Sequence, residues 1–181
     1  MNLITGVEIK ELKTFPDDRG FFREVIRSSD SFFSESNNFA QWSHSKMGRN
    51  TVKAWHFHHQ QIDWWYLGLG VIEVVLYDLR EESPTYKQKM QFYLGEEELD
   101  SRAKAAVVKI PQGVLHGCKV LTPFAHLFYV TSCTYNPEDE GRYPFNSDVV
   151  PHLWGTESEL VVAANDRREF IPTNPRTALA R

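Results

Sequence analysis

The stretch of sequence that decides the fold covers residues 52–78 and reads VKAWHFHHQQIDWWYLGLGVIEVVLYD. It is rich in aromatic and β-branched residues, which favour strands. Gly68 and Gly70 interrupt its second half, so residues 62–78 predict a hairpin of two strands joined by a glycine-containing turn. The stretch therefore indicates a protein built mainly from strands.

Strand-like segments continue on both sides of this stretch, and turn residues recur about every ten positions, a rhythm typical of sandwiches and barrels. Further strands are predicted at residues 7–12, 21–26, 52–58, 105–110 and 125–134. Helical patterns are few, with one or two turns predicted at residues 29–37 and another at 96–99. Residues 175–181 are expected to fray or to dock on a partner chain. We therefore predict an all-β fold, either a closed or a jelly-roll barrel.

The composition excludes several classes of protein. The chain has 181 residues, of which 41% are hydrophobic and 24% charged, as expected for a single globular domain spanning residues 1–181. The net charge of −4, without any run of more than two basic residues, argues against a nucleic-acid partner. Apolar runs fall far short of the roughly 20 residues of a membrane helix, and the start MNLITGVEIKEL lacks a signal-peptide pattern. With Cys118 and Cys133 suited to a reducing compartment, we expect a cytoplasmic protein without a membrane partner.

Aromatic residues are abundant at 13%, from 12 Phe, 7 Tyr and 5 Trp. Aromatic side chains fill β cores, but they also line small-molecule sites. The composition alone therefore leaves open how the aromatic residues divide between a core and a pocket.

Histidines supply the densest cluster of titratable groups. His56 and His58 lie two positions apart, so in a strand they project from the same face, either into the interior or outwards. Trp55 and Phe57 flank His56 in the sequence. Further along the chain, Pro111-Gln-Gly-Val-Leu-His116 places another histidine just past a tight turn, where it can face a cavity.

These two segments resemble the paired motifs of the cupin superfamily. The first motif is His-x-His, four residues, an acid, six residues and Gly, and the second is Pro-x-Gly-x-x-His. The matching positions are His56, His58, Asp63 and Gly70, then Pro111, Gly113 and His116. The resemblance implies a cupin-type jelly-roll β-barrel. It would also permit a divalent metal held by His56, His58, Asp63 and His116, although cupins usually carry Glu where this chain has Asp63.

A narrower resemblance is carried by five blocks in order. Residues 15–24 read FPDDRGFFRE, 52–56 read VKAWH, 77–86 read YDLREESPTY and 110–121 read IPQGVLHGCKVL. The fifth block, residues 129–140, is Tyr129, five residues and then YNPEDE. The blocks resemble the dTDP-4-dehydrorhamnose 3,5-epimerase family, and by them the chain is identified as a divergent member.

That resemblance implies an epimerase of a nucleotide-activated 4-keto-6-deoxy sugar. Such an enzyme removes a proton beside the ketone and returns one to the opposite face, inverting C3, C5 or both. A C–H next to a carbonyl is acidic enough for a side-chain base such as His, and a Tyr can serve as the opposing acid. The resemblance further implies no cofactor and no metal, a nucleotide-diphosphate sugar as partner, and a homodimer that exchanges N-terminal strands.

The resemblance also implies roles for individual residues. His56 matches the catalytic base and Tyr129 the opposing acid. Substrate-binding or site-lining positions are expected at Arg19, Phe22, Glu24, Gln41, Lys53, His58, Asp63, His116, Tyr135 and Glu140. Arg19 can fork onto a diphosphate, and Lys53 keeps the charge of a family Arg without its fork.

Three positions depart from the family pattern. Asp63 stands where the family has a Lys near the sugar ketone, and an anion there opposes a developing enolate. The family orients its histidine with an Asp, and here Ser147 takes that place, so Asp148 is predicted to support His56. His58 replaces a frequent Gln. With Trp55 and Phe57 beside it, His56 is expected to have a lowered pKa unless a carboxylate, Asp148 or Asp63, supports it.

Three hypotheses follow from these residues. The first is a metal-free nucleotide-sugar epimerase with His56 and Tyr129 as its acid–base pair. The second is a metal-dependent cupin enzyme using His56, His58, Asp63 and His116. The third is a non-catalytic nucleotide-sugar-binding protein that keeps the fold.

Overall fold

A computed structural model describes residues 3–34 and 39–172, and strands dominate these residues. Helical segments among them are short: α1 (Ser31–Ser34) and two 3₁₀ turns, Glu157–Glu159 and Ala164–Arg167. The strands are β1 (Glu8–Glu11), β2 (Thr14–Asp17), β3 (Gly20–Arg23), β4 (Gln41–Gly48), β5 (Thr51–His58), β6 (Asp63–Leu69), β7 (Val71–Asp78), β8 (Lys89–Gly95), β9 (Ala103–Lys104), β10 (Ala106–Ile110), β11 (Val114–Val120), β12 (Phe124–Thr131), β13 (Glu140–Arg142) and β14 (Val161–Val162).

The strands form two large sheets and one small ribbon. The five-stranded sheet has the order β1-β10-β6-β12-β4. The seven-stranded sheet has the order β13-β5-β11-β7-β8-β9, with β14 pairing with β5. Strands β2 and β3 form a separate two-stranded ribbon. The predicted all-β jelly-roll class is confirmed, but the closed barrel is wrong, because no pairing between described strands joins the two large sheets.

The predicted hairpin at residues 62–78 is also wrong. Strand β6 belongs to the five-stranded sheet and β7 to the seven-stranded one, so the chain crosses between sheets at Gly70. Gly70 has a φ of +87°, and a Cβ there would lie 2.3 Å from the backbone oxygen of Phe124. A nearly continuous apolar run looks the same whether its strands pair with each other or face each other across a core, so the pattern could not separate the two arrangements.

Most other predicted strands are present within a few residues of their expected bounds. Strands β4, β8 and β11 were not predicted as strands, because their sequences QWSHSKMG, KMQFYLG and VLHGCKV mix polar residues or glycine into the pattern. Of the predicted helix at residues 29–37, only α1 is helical among the described residues, and 35–37 lie outside them. Residues 96–99 form the single turn predicted there, in which the N–H groups of Leu99 and Asp100 donate to the Glu96 carbonyl. Residues 175–181 lie outside the described part.

The main core lies between the two large sheets. The five-stranded sheet contributes inward-facing side chains such as Trp65 and Leu127, and the seven-stranded sheet contributes Val74, Leu76 and Leu94. Leu76 is completely inaccessible to solvent. Burying such an aliphatic side chain contributes about 1.5–3 kcal/mol, so these facing rows hold the two sheets together.

Both sheets are also covered on their outer faces. Residues of the C-terminal region, including Phe145 and Trp154, pack on the outer side of the seven-stranded sheet beside Trp55 and Phe57. Phe32 of α1 packs on the outer side of the five-stranded sheet. Trp55 and Phe57 therefore belong to an outer cluster, and the aromatic residues that wall the inner pocket come from other strands.

No helical segment in residues 3–34 or 39–172 has the length and apolar character needed to span a membrane. The cytoplasmic location stays a prediction from the sequence.

The crossover at Gly70 yields a stability prediction. In Gly70→Ala, the new Cβ meets the Phe124 carbonyl in a left-handed backbone conformation, so we expect a loss of about 2–4 kcal/mol in the free energy of unfolding. Urea unfolding followed by tryptophan fluorescence measures this loss.

Gly48→Ala is the matched control, because nothing lies within 4 Å of a Cβ at Gly48, which is a strand residue without a positive φ. Its free energy of unfolding should change by less than about 1 kcal/mol. Equal losses in the two variants would contradict the steric explanation.

Candidate active site

A pocket opens between the two large sheets at one end of the core, with about 800 Å³ of empty space, open mouth included. It forms because the inward-facing rows change from apolar to polar at this end. In β12 the row runs Ala125, Leu127, Tyr129, Thr131, and Thr131 pairs with Asp63 at the start of β6. The pocket is lined by Gln41, Ser45, Lys53, His56, His58, Gln61, Asp63, Trp65, His116, Cys118, Leu127, Tyr129, Thr131, Tyr135 and Glu140.

The structure thus brings nine of the predicted site residues into one pocket. They come from both sheets and from the segment between β12 and β13. They are Gln41, Lys53, His56, His58, Asp63, His116, Tyr129, Tyr135 and Glu140.

His56 is held between two carboxylates. Its Nδ1 lies 2.6 Å from Oε1 of Glu140, and its Nε2 lies 2.8 Å from Oδ1 of Asp166. Strand β13 brings Glu140 beside β5, where it pairs with His58. Asp166 comes from the 3₁₀ turn Ala164–Arg167, and its backbone oxygen accepts a hydrogen bond from the N–H of Phe145. Glu140 lines the pocket, whereas Asp166 is buried behind the ring.

This arrangement makes His56 strongly basic. Burial alone would lower the pKa of His56, but hydrogen bonds and charge attraction from Asp166 and Glu140 outweigh it and raise the pKa to about 9. Burial would likewise raise the pKa of Glu140, and the hydrogen bond and charge of His56 instead lower it to about 2. The sequence predicted a lowered His56 pKa unless a carboxylate supports the ring. Two carboxylates do support it, so the pKa is raised instead.

The supporting acids differ from the predicted ones. The prediction named Asp148 or Asp63, but Asp148 is exposed to solvent and the acid at Nε2 is Asp166. Asp166 is 110 positions from His56 in the sequence and sits in a short turn without any recognisable pattern. Only the folding of the C-terminal region over the seven-stranded sheet brings it to the ring.

Tyr129 faces the same pocket from the opposite sheet. It lies on β12 between β4 and β6, paired with Ser43 and Trp65. Burial raises the pKa of the Tyr129 phenol above its usual value, a hydrogen bond with Ser43 opposes the rise, and the charges of Asp63 and Glu140 add to it. The phenol therefore keeps its proton at neutral pH and can act as an acid.

Asp63 is buried and fully engaged by neighbouring side chains. Its Oδ1 accepts a hydrogen bond from Nε2 of Gln61 at 2.7 Å, and its Oδ2 accepts one from Nε1 of Trp65 at 3.1 Å. The same amide nitrogen of Gln61 lies 3.2 Å from Nε2 of His58. Gln61 was not predicted as a site residue, although it lies between the two motif residues His58 and Asp63.

His116 is a neutral imidazole in the pocket wall. Its Nδ1 lies 3.2 Å from the carbonyl oxygen of Val114, and its ring lies 5.5 Å from that of His58, centre to centre. Burial lowers the pKa of His116 to about 4. At neutral pH, therefore, Nδ1 donates to the carbonyl and Nε2 keeps a free lone pair.

The mouth of the pocket carries residues suited to the remainder of a large substrate. Lys53 is exposed, with its Nζ 2.7 Å from Oγ of Ser45. Tyr135 is 64% exposed, and its backbone N–H donates to Oε1 of Gln41 at 3.0 Å. A cation and an exposed aromatic ring are the groups that contact phosphates and bases.

Three predicted substrate-binding residues lie elsewhere. Arg19, Phe22 and Glu24 are on or beside the β2–β3 ribbon and are not among the residues that line this pocket within one chain. Arg19 pairs with the neighbouring Asp17, and Phe22 is 62% exposed. Within the described chain, the structure does not bring these three residues to His56.

Comparisons with known proteins identify relatives of this chain. Residues 2–171 match the sequence profile of the family described as dTDP-4-dehydrorhamnose 3,5-epimerase. The spore coat polysaccharide biosynthesis protein SpsL of Bacillus subtilis is 38% identical, covering 86% of this chain and 99% of SpsL. The dTDP-4-dehydrorhamnose 3,5-epimerase of Salmonella typhimurium is 30% identical, covering 90% of this chain and 88% of that protein.

A solved structure is similar as well. The crystal structure of dTDP-4-dehydrorhamnose 3,5-epimerase from Elizabethkingia anophelis superimposes with a TM-score of 0.77 at 25% identity. The match covers 93% of this chain and 92% of that one.

The position of Asp166 yields a prediction about His56. In Asp166→Asn, loss of one hydrogen-bonded carboxylate should lower the His56 pKa from about 9 towards its ordinary value of 6.5. NMR titration of the His56 ring proton measures this shift. Because folding raises this pKa, the stabilisation is fully present below pH 6.5 and is lost as the pH rises through about 9. Urea unfolding should therefore show a larger deficit for the variant at pH 6 than above pH 9.

Asp148→Asn is the control, since it removes an exposed carboxylate of the same type. The His56 titration should remain that of the wild type. A shift in Asp148→Asn and none in Asp166→Asn would contradict the assignment.

Proposed function

Because the chain belongs to the dTDP-4-dehydrorhamnose 3,5-epimerase family, we propose that it epimerises a dTDP-linked 4-keto-6-deoxy sugar at C3, C5 or both. The activity class, a nucleotide-sugar epimerase, follows from the family. One observation carries the proposal: a carboxylate-supported histidine and a protonated tyrosine face one pocket from opposite sheets. Proton removal on one face of a sugar and return on the other needs such a pair.

His56 is the proposed base. It takes the proton from the carbon beside the ketone, and the electron pair of the broken C–H bond moves into the enolate. Asp166 stays hydrogen-bonded to Nε2, so it orients the ring and stabilises the imidazolium that forms. Glu140 is hydrogen-bonded to Nδ1 on the pocket side, and the resting imidazolium carries a proton there. The substrate has to displace Glu140, and the Nδ1 proton has to leave with that carboxylate or pass to solvent, before the neutral ring can take the proton from the sugar.

Displacing Glu140 also adjusts the basicity of His56. The raised pKa depends on two carboxylates, and a ring that keeps only Asp166 has a lower pKa. A base works best with a pKa near the working pH. Substrate binding therefore brings His56 from a protonated resting state closer to the range in which it accepts a proton.

Tyr129 is the proposed acid. Its phenol O–H donates a proton to the enolate carbon on the face opposite to His56, which completes the inversion. The resulting phenolate regains a proton from solvent through the pocket mouth. The nucleotide-diphosphate portion extends towards that mouth, where Lys53 offers charge to phosphate and Tyr135 offers a ring for stacking.

The proposed assembly is a homodimer. The β2–β3 ribbon exposes Phe15, Phe21 and Phe22, and these aromatic residues lack a covering element within their own chain among the described residues. Exposed aromatic clusters of this kind favour protein–protein contact. In a dimer that exchanges N-terminal strands, Arg19 and Phe22 would complete the partner's pocket, which explains why they lie away from their own.

Solvent-exchange measurements test the epimerase. In deuterated water, wild-type protein should incorporate deuterium at C3, C5 or both of dTDP-4-keto-6-deoxyglucose, as followed by NMR. His56→Ala should slow this exchange about 10²–10⁴-fold, the usual contribution of a general base. Tyr129→Phe should reduce inversion of the sugar carbon more than it reduces deuterium exchange, because His56 can still abstract protons.

Tyr86→Phe is the control for Tyr129, because Tyr86 is an exposed tyrosine outside the pocket. It should retain wild-type rates. Absence of exchange with thymidine-, uridine- and guanosine-linked 4-keto sugars alike would overturn the proposal.

Subunit complementation tests the shared site. His56→Ala and Arg19→Ala should each be nearly inactive at low substrate concentration. Mixing them after mild unfolding and refolding should restore about a quarter of the wild-type activity. About half of the dimers are then mixed, and each mixed dimer has one pocket that contains both His56 and Arg19. Light scattering should give twice the chain mass of 21.0 kDa.

Two results would speak against the shared dimer site. One is a monomer mass in light scattering. The other is a dimer in which mixing restores nothing, since each pocket would then be complete within one chain.

A further inference from the structure

We propose that His44 and His126 form a chelating site for one divalent transition-metal cation on the outer face of the five-stranded sheet. Nε2 of His44 lies 3.0 Å from Nδ1 of His126. Imidazole nitrogens are good ligands for Cu²⁺, Ni²⁺ and Zn²⁺, and Cu²⁺ binds most tightly of these in the general order of affinities. The site is separate from the pocket, because neither histidine is among the residues that line it.

The register of β4 and β12 places the two rings side by side. The strands run antiparallel, and His44 pairs with Phe128 while His126 pairs with Lys46. The two histidines are therefore diagonal neighbours, which is a position from which aromatic side chains reach each other. Leu127, next to His126 in β12, faces the core, so His126 faces outwards. The sheet itself thus presents two imidazoles from separate strands to one point.

The distances between the two rings suit chelation. Two ring nitrogens held by one cation, with bonds of about 2.0–2.1 Å and an angle of about 90–110° between them, lie about 2.9–3.4 Å apart, and the centres of their rings lie about 4.5–5.3 Å apart. In this structure the two nitrogens are 3.0 Å apart and the ring centres are 5.0 Å apart. Both separations fall within the ranges for a chelate, so the rings have to turn towards a cation but do not have to approach each other.

Phe128 holds the ring of His44 in a defined plane. The two rings are stacked, with 4.4 Å between their centres and 10° between their planes. Stacking restricts tilting of the His44 ring but permits it to turn within its own plane, and such a turn directs Nε2 towards a cation beside the two nitrogens. A ring that is already positioned loses less conformational freedom on binding, which favours the chelate.

A hydrogen bond joins the two nitrogens when no cation is bound. One ring donates its N–H and the other accepts it with a lone pair. Chelation needs a lone pair from both nitrogens, so the donating ring has to carry its proton on its other nitrogen instead. His44 is exposed, so water can mediate this change of tautomer. Both rings stay neutral, and the cation takes the place of the shared proton.

The surroundings of the pair select the kind of cation. Lys46 lies on the same face, with its Nζ 5.2 Å from the centre of the Phe124 ring. A positive charge on this face opposes a cation that is held mainly by charge attraction, such as Ca²⁺ or Mg²⁺. Binding at this site depends on the lone pairs of two imidazoles, which favours Cu²⁺ and Ni²⁺. Water completes the coordination, because His44 is open to solvent.

A cation bound by this pair would fasten the last strand of the five-stranded sheet. Within the described chain, β4 ends the strand order and pairs with β12. The inner faces of the same two strands carry Ser43 and Tyr129, whose side chains are hydrogen-bonded to each other. The cation would therefore brace one wall of the pocket from outside. Binding should raise the thermal unfolding midpoint, because a ligand that binds only the folded state stabilises it.

The experiment titrates Cu²⁺ into tag-free, chelator-stripped protein whose histidines carry a nitrogen label for NMR. Paramagnetic Cu²⁺ should broaden the ring signals of His44 and His126 before those of any other histidine, and the unfolding midpoint should rise. His126→Gln should weaken Cu²⁺ binding at His44 at least about tenfold, because the second imidazole of a chelating pair binds intramolecularly. If His126→Gln does not fold, as judged by circular dichroism, His44→Gln decides, because His44 is exposed.

His58→Gln is the matched control, because it removes a histidine of the pocket instead. Broadening of the His44 and His126 signals by Cu²⁺ should be the same as in the wild type. Broadening that begins at any other histidine, equal Cu²⁺ affinity in the wild type and His126→Gln, or no broadening at all would each overturn the site. The titration contains no sugar nucleotide, so its result is independent of the proposed epimerase.

Discussion

The interaction on which the rest of the structure depends is the burial of the apolar rows that the two large sheets turn towards each other. Leu76, Val74 and Leu94 on one side meet Trp65 and Leu127 on the other. The same rows become polar at one end, where Thr131 pairs with Asp63. The pocket is therefore a continuation of the core, and its polar groups are held by strands whose other residues cannot move without exposing apolar surface.

The charges of the groups around His56 depend on the burial of the pocket. A histidine buried in an apolar wall would remain neutral, but His56 meets Glu140 and Asp166 on both of its ring nitrogens. Buried charges of this kind cost desolvation energy unless they are paired and hydrogen-bonded, and such clusters concentrate at functional sites. The two carboxylates differ in position, since Asp166 is sealed behind the ring and Glu140 is open to the pocket. Asp166 can hold the His56 ring throughout a reaction, while Glu140 can be displaced by a substrate.

Membership of the family is consistent with the proposed acid–base pair, but it does not account for the whole pocket. Fold and function are separable, and the chemistry belongs to the particular side chains in the site. Asp63, with Gln61, His58 and His116 around it, forms a second polar group within the same cavity. This group gives the pocket a chemistry of its own beside the proposed proton-transfer pair of His56 and Tyr129.

The sequence by itself determined the all-β class, the family and nine of the residues that line the pocket, because these depend on local patterns and on motifs with fixed spacing. It could not determine that β6 and β7 lie in different sheets, because the sequence of an apolar strand does not show which strand it pairs with. It also pointed to Asp148 rather than Asp166 as the acid beside His56. Only the tertiary structure decided that contact, because burial of Phe145 and Trp154 folds the C-terminal region over β5 and brings together groups 110 positions apart.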